Sequence, residues 1–170
     1  MLPPRSPLAE PVRRRILGID PGTRITGWGL VELEGSRSRL VACGAIRTKG
    51  PDMDGRLLEI HTGLVRVLAE SSPGVVALER PFLGKNPSAA LAVGMARGVA
   101  VLAAAQAGLR VRELTPAMVK KAVVGNGNAA KEQVAAMVRV LLGVRDLPGP
   151  ADVTDALAVA LAATHRLALA

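Results

Sequence analysis

The sequence predicts an α/β fold, one mixed central sheet flanked by helices. Three observations carry this. Short apolar runs with strand chemistry open the chain, helical periodicity then alternates with further short runs, and the last part reads as helix alone. Hairpins alone would not account for such a second half.

Residues 15–20 (RILGID) are a short apolar run closed by Asp-Pro-Gly, which makes a strand followed by a turn. Residues 26–33 and 40–48 read as two more strands, with Glu34, Gly35 and Ser36 supplying hairpin chemistry between them. From Asp54 the period becomes helical, with Leu57, Leu58, Leu64, Val65 and Leu68 at three- and four-residue spacing, and Ser72, Pro73 and Gly74 end the helix. Residues 75–79 (VVALE) are a buried-strand run ending in an acid. A loop over 81–87 precedes a long Ala-rich helix, capped by Ser88 and reaching about Ala107. Residues 109–114 read as a strand, and Thr115 and Pro116 as the cap and first position of a helix through Val123. A flexible connection over 125–128 leads to a helix over 129–142, a loop over 147–150, and an apolar helix from Ala151 to the end.

The chain's 170 residues fit one domain, expected over 15–170 and preceded by a flexible basic extension over 1–14 that holds four of the 12 prolines. A hydrophobic content of 49% excludes a disordered basic tail, and a single cysteine, Cys43, excludes a disulfide scaffold. No uninterrupted apolar run approaches the roughly 18 residues of a spanning helix. The apolar run behind Arg13, Arg14 and Arg15 is too short for a signal peptide. A cytoplasmic protein with no membrane partner is expected. The 22 Lys and Arg against 14 Asp and Glu, net +8, favour a polyanionic partner such as nucleic acid.

In a basic chain the acids are informative. Glu10, Glu32, Glu34, Asp52, Asp54, Glu59, Glu70, Glu132 and Asp146 read as solvated, and Glu113 is ambiguous. Four acids differ. Asp20 and Glu79 each end an apolar run, and strand ends are where ligand sites lie in open α/β sheets. Asp152 and Asp155, three apart, share a face at the start of the last helix, and Asp155 sits on an otherwise apolar stretch. Clustered carboxylates need a cation. An all-oxygen set suits Mg²⁺ or Mn²⁺, and two such ions can drive phosphodiester hydrolysis. Phe82, one of two aromatics, stands in a loop with Arg80, Pro81, Gly84 and Lys85, a setting that favours exposure and stacking on a base. Gly94 and Gly98 imply close packing of their helix, Trp28 reads as packing, and His61, His165 and Cys43 are too isolated for a zinc site.

The stretch ILGIDPGTRITGWG (16–29) resembles the opening of the RuvC Holliday junction resolvases. The likeness continues through GAIRTK (44–49), LERPF (78–82), GKN (84–86), ARGVA (96–100), VKKAVVG (119–125), AKEQV (130–134) and DVTDALA (152–158). The resemblance implies an RNase H-like nuclease domain and a homodimer that nicks two opposing strands of a four-way DNA junction in recombination and repair. It implies Asp20, Glu79, Asp152 and Asp155 as catalytic, metal-binding acids for two Mg²⁺ or Mn²⁺ ions, with Lys120 and Lys131 in catalysis and DNA handling. It places Phe82 at the crossover and the 88–107 helix at the dimer interface; Arg80, Lys85 and Lys121 are expected as further DNA contacts beside these. A branch-migration motor complex is the partner it implies at the junction. Arg80 and Pro81 make a more rigid and more basic start to the Phe82 loop than the family pattern. Two other readings compete: an RNase H-like nuclease acting on structured RNA, and a phosphotransfer enzyme, since GIDPGT (18–23) also resembles the first phosphate loop of the actin and sugar-kinase superfamily. The latter fold needs two such domains.

Overall fold

The computed structural model describes residues 14–80 and 86–167, and the side chains up to His165. Five strands form one sheet: β1 (Arg14–Asp20), β2 (Ile25–Glu34), β3 (Arg37–Arg47), β4 (Val75–Glu79) and β5 (Val111–Leu114), in the order β3-β2-β1-β4-β5. β1, β2 and β3 form an antiparallel meander, while β1–β4 and β4–β5 are parallel, so the sheet is mixed as expected. The helices are α1 (Met53–Ser71), α2 (Pro87–Gln106), α3 (Pro116–Val124), α4 (Lys131–Leu142) and α5 (Ala151–Leu167).

Every strand of the sheet carries apolar side chains, and the helices divide between its two faces. Ile16, Val31 and Ala77 pack with α3, α4 and α5, centred on Val153, Leu157 and Leu161. Leu17, Ile19, Leu30 and Leu78 pack with α1 and α2 through Ile60, Leu64, Ala96 and Ala100. Successive strand residues face opposite sides, so adjacent residues of β1 serve different cores. Trp28 lies half-buried against the second core, as read from the sequence.

Several element ends differ from expectation. β3 starts at Arg37 because Glu34 and Arg37 pair across a tight turn, with Gly35 at φ 61°. Asn86, rather than Ser88, caps α2, its side chain accepting from the Ala89 amide at 3.2 Å with Pro87 in the first turn. β5 begins only at Val111, since the Leu109 amide still donates to the Ala104 carbonyl at 2.9 Å in the exit from α2. α4 starts at Lys131, with the Ala130 amide bonded to Gln133 Oε1 at 2.9 Å. Arg14 already belongs to β1, and residues 1–13 of the expected extension lie outside the described residues.

The reading of Glu32 as solvated is wrong. Its side chain is 2% exposed, gripped by Arg15 Nε at 3.0 Å and Arg39 Nη2 at 2.6 Å. Register explains it: Arg15, Glu32 and Arg39 form one cross-strand row over β1, β2 and β3. α2 is, by length and composition, the one helix among the described residues that could cross a membrane. Arg97 interrupts it and pairs with Glu113 of β5, while Ala96, Ala100, Ala103 and Ala104 bury one face in the domain core.

Candidate active site

Two strand ends, two helix starts and the middle of a third helix build the site. β1 delivers Asp20 at its C-terminal end, and the parallel pairing of Ile19 with Leu78 places Glu79 one strand away. α5 crosses β1 and β2 at backbone contact. A Cβ on Gly18 would overlap the Ala156 carbonyl oxygen, and one on Gly27 the Asp152 carbonyl oxygen. Gly27 also pairs with Asp20. Glycine at these positions therefore brings the first turns of α5, with Asp152 and Asp155, down to the end of β1. α3 presents Lys120, and the start of α4 presents Lys131.

Asp20, Glu79, Asp155, Lys120 and Lys131 line a cleft of about 260 Å³. Its remaining wall is apolar, including Val119, Val134 and Val159. No charge marks these apolar groups in the sequence; their only signal there is the helical period of α3, α4 and α5. Lys131 Nζ donates to Asp155 Oδ2 at 2.6 Å. Asp152 is not among the lining residues, although its charge reaches Asp20. The carboxylates surround the cleft without closing on a point. Among the described residues no three acids, histidines or cysteines stand close enough to hold an ion as arranged.

The electrostatics of the cleft are those of a site short of positive charge. Burial, then repulsion from Asp155, Asp152 and Glu79, raises the Asp20 carboxyl from 3.8 to about 7, against the opposing pull of Lys131. Burial and then Asp155 raise Glu79 as well, opposed by Lys120 and Lys131. The hydrogen bond to Asp155 holds the Lys131 ammonium above its ordinary value.

A family model described as crossover junction endodeoxyribonuclease RuvC matches residues 16–165. The chain belongs to the RuvC family. A RuvC protein of Heliobacterium modesticaldum is 52% identical over 153 residues, spanning 89% of this chain and 94% of that one. The RuvC protein of T. thermophilus, solved in complex with a Holliday junction substrate, is 36% identical with a TM-score of 0.86, covering 92% of this chain and 96% of its own. A yeast mitochondrial Holliday junction resolvase, 16% identical with a TM-score of 0.63, shares the fold. With these RuvC-like neighbours, the expected RNase H-like architecture stands.

The RuvC match covers every acid of the cleft, and the donor set suits a hard divalent cation. The donors are all carboxylate oxygens, the cleft repels further negative charge, and one cation, the Lys131 ammonium, already docks on Asp155. Not every expected residue joins the site. Lys121 is exposed and outside the cleft lining. Arg80 turns to Glu113 of β5, Nε to Oε2 3.2 Å, and Glu113 also binds Arg97 of α2, which resolves its ambiguous reading. Phe82 and Lys85 lie outside the described residues.

Proposed function

We propose that the protein resolves four-way DNA junctions by paired, symmetric nicks. The observation that carries this is the convergence of Asp20, Glu79 and Asp155 with Lys120 and Lys131 on one cleft in a RuvC fold. Asp20, Glu79, Asp152 and Asp155 would hold Mg²⁺ or Mn²⁺, two ions per site. When bound, such ions activate water and stabilise the leaving oxygen of a phosphodiester. The chain's own residues do the rest. The carboxylates fix where positive charge can gather, and the apolar wall of Val119, Val134 and Val159 keeps the dielectric low around it. Lys120 and Lys131 offset the charge of the incoming phosphate, and Phe82 is assigned to stacking at the crossover, with Arg80, Lys85 and Lys121 on the flanking backbone.

Two opposing strands call for two sites, and a two-fold homodimer supplies them. The face of α2 away from the core supports this: Leu91 is 63% and Leu102 51% exposed, and a side chain at Gly94 or Gly98 would meet nothing within 4 Å. The expected setting is the cytoplasm, at junctions handled by a branch-migration motor complex.

Nicking of a synthetic four-way junction with Mg²⁺ or Mn²⁺, alongside linear duplex and structured RNA, tests the reading. Paired symmetric nicks in the junction are expected, with Asp20→Asn inactive yet still binding it. Equal cleavage of structured RNA would favour the RNA nuclease, and full activity of Asp20→Asn would end the assignment of the cleft.

A further inference from the structure

The motif GAIRTK (44–49) has no part in the cleft, yet the structure invests heavily in fixing it. At the end of β3, Thr48 binds the β1–β2 turn: its amide donates to the Arg24 carbonyl at 3.1 Å and its hydroxyl to the Thr23 carbonyl at 2.8 Å. One residue on, Glu59 of α1 accepts both the Lys49 and the Gly50 amides, each at 2.8 Å. The two loops are thereby locked to each other and to α1.

On this rigid base stand Arg24, Arg47 and Lys49, all exposed, and none has an ion-pair partner among the described residues. Arg47 pairs with Ile25, the residue after Arg24, so Arg24 at the entry to β2 and Arg47 at the exit from β3 stand side by side, with Lys49 two residues on. The nearby acids Asp52 and Glu59 are committed to backbone amides, at Gly55 and at Lys49 and Gly50. The result is a ridge of three cations free of ion pairs among the described residues, with little backbone freedom to lose on binding.

Its place in the sheet gives it a task. Asp20, Gly27 and Ala45 share one cross-strand row, and Arg47 lies two residues further along β3. At about 4.8 Å per strand and 3.3 Å per residue, Arg47 stands on the order of 12 Å from Asp20. The sheet order puts it on the side of Asp20 away from Glu79. DNA advances about 3.4 Å of axis per nucleotide, so this ridge meets backbone a few nucleotides from the bond that the cleft would hold.

We propose that Arg24, Arg47 and Lys49 form a phosphate-binding ridge that seats the DNA arm on the β3 side of the cleft. The inference rests on the reading of the protein as a junction nuclease and adds to it a second contact surface. Phosphate contacts fix register without reading bases, so the ridge sets affinity and placement rather than the chemical step.

The test is the salt dependence of junction binding by Arg24→Gln, Arg47→Gln, Lys49→Gln and the triple variant, with Arg66→Gln on α1 as control. Each single change is expected to lower the slope of log K against log salt by about 0.9, and the triple variant to lose at least about tenfold in affinity near physiological salt. KM should rise while kcat at saturating junction stays within about twofold of wild type. Lys49→Arg should bind as wild type, and thermal melts should show folded variants. A triple variant with the wild-type slope, or losses confined to kcat, overturns the ridge. Failure of the wild-type protein to bind or nick junctions would overturn the nuclease reading instead.

Discussion

Asp20 shows how one residue trades stability for a charged site. Its carboxyl, raised from 3.8 to about 7, holds a proton in the fold that the unfolded chain has already released between those values. The folded state therefore binds more protons in that window, and stability falls as pH rises through it. A shift of that size amounts to at most about 4 kcal/mol, and partial solvent screening brings the expected effect to about 1–3 kcal/mol. Asp20→Asn, with divalent ions chelated, should melt several degrees above wild type at pH 8, with the gap closing toward pH 4; a pH-independent gap would count against the like-charge account. Glu32 has the opposite sign. Hydrogen bonds from Arg39 and then Arg15 hold its carboxyl below the ordinary glutamate value. Its contribution is present above that ordinary value and is lost as pH falls through the lowered one. Glu32→Gln should lower Tm at neutral pH, approach wild type in strong acid, and leave junction nicking unchanged, because Glu32 pairs near the start of β1 and Asp20 closes its end. The two residues also differ in legibility. Asp20 is visible in the sequence because it ends an apolar run. The burial of Glu32 depends on strand register, which joins it to Arg15 and Arg39 across 17 and 7 positions of chain, and no local pattern carries that information.

Among the elements, α5 determines whether the acids meet at all. Its seat on the sheet is backbone on backbone at Gly18 and Gly27, so a methyl group there must displace the helix or distort the strand. Overpacking of this kind costs about 1–3 kcal/mol, and a shift of about 1 Å at a reacting centre can cost on the order of 100-fold in rate. Gly27→Ala is expected to lower Tm by several degrees and junction nicking by at least about 100-fold. Gly74→Ala is the control, since its Cβ would stand at ordinary contact, 3.7 Å from the Arg15 carbonyl oxygen. Near-wild-type nicking by Gly27→Ala would show that α5 is not held by this contact. Here the sequence was only half readable. Asp-Pro-Gly, Thr-Pro and the helical periods announced the strands and helices. That Gly18 and Gly27 mark a helix crossing, instead of turns or bulges, follows only from the tertiary arrangement. Asn86 displaced Ser88 as a cap for a local reason: Pro87 suits the first turn, which moves the cap one residue ahead of it.

At the scale of the whole molecule, the net charge of +8 and the open face of α2 belong to one design. Leu91, Met95, Gly98 and Leu102 recur at three- and four-residue spacing along one stripe, opposite the buried Ala96, Ala100 and Ala103. A monomer would leave this stripe in water, whereas a two-fold pairing buries it against its own copy and sets two clefts into a single particle. Arg97 does not obstruct such pairing, because its charge is spent on Glu113 within the same chain. Leu102→Glu places a carboxylate in the stripe without touching the cleft. It should weaken self-association at least about 30-fold, the loss expected when a central interface anchor is replaced, and light scattering after gel filtration should report a monomer for the variant and the proposed dimer for wild type. The functional signature is more telling than the mass. On a junction closed into a supercoiled cruciform, the monomeric variant should give isolated nicks in place of paired symmetric ones, since the second strand must then wait for an independent encounter. A wild-type protein that is monomeric at micromolar concentration, or a Leu102→Glu variant that remains dimeric with paired cuts, would remove α2 as the interface and leave its apolar stripe unexplained.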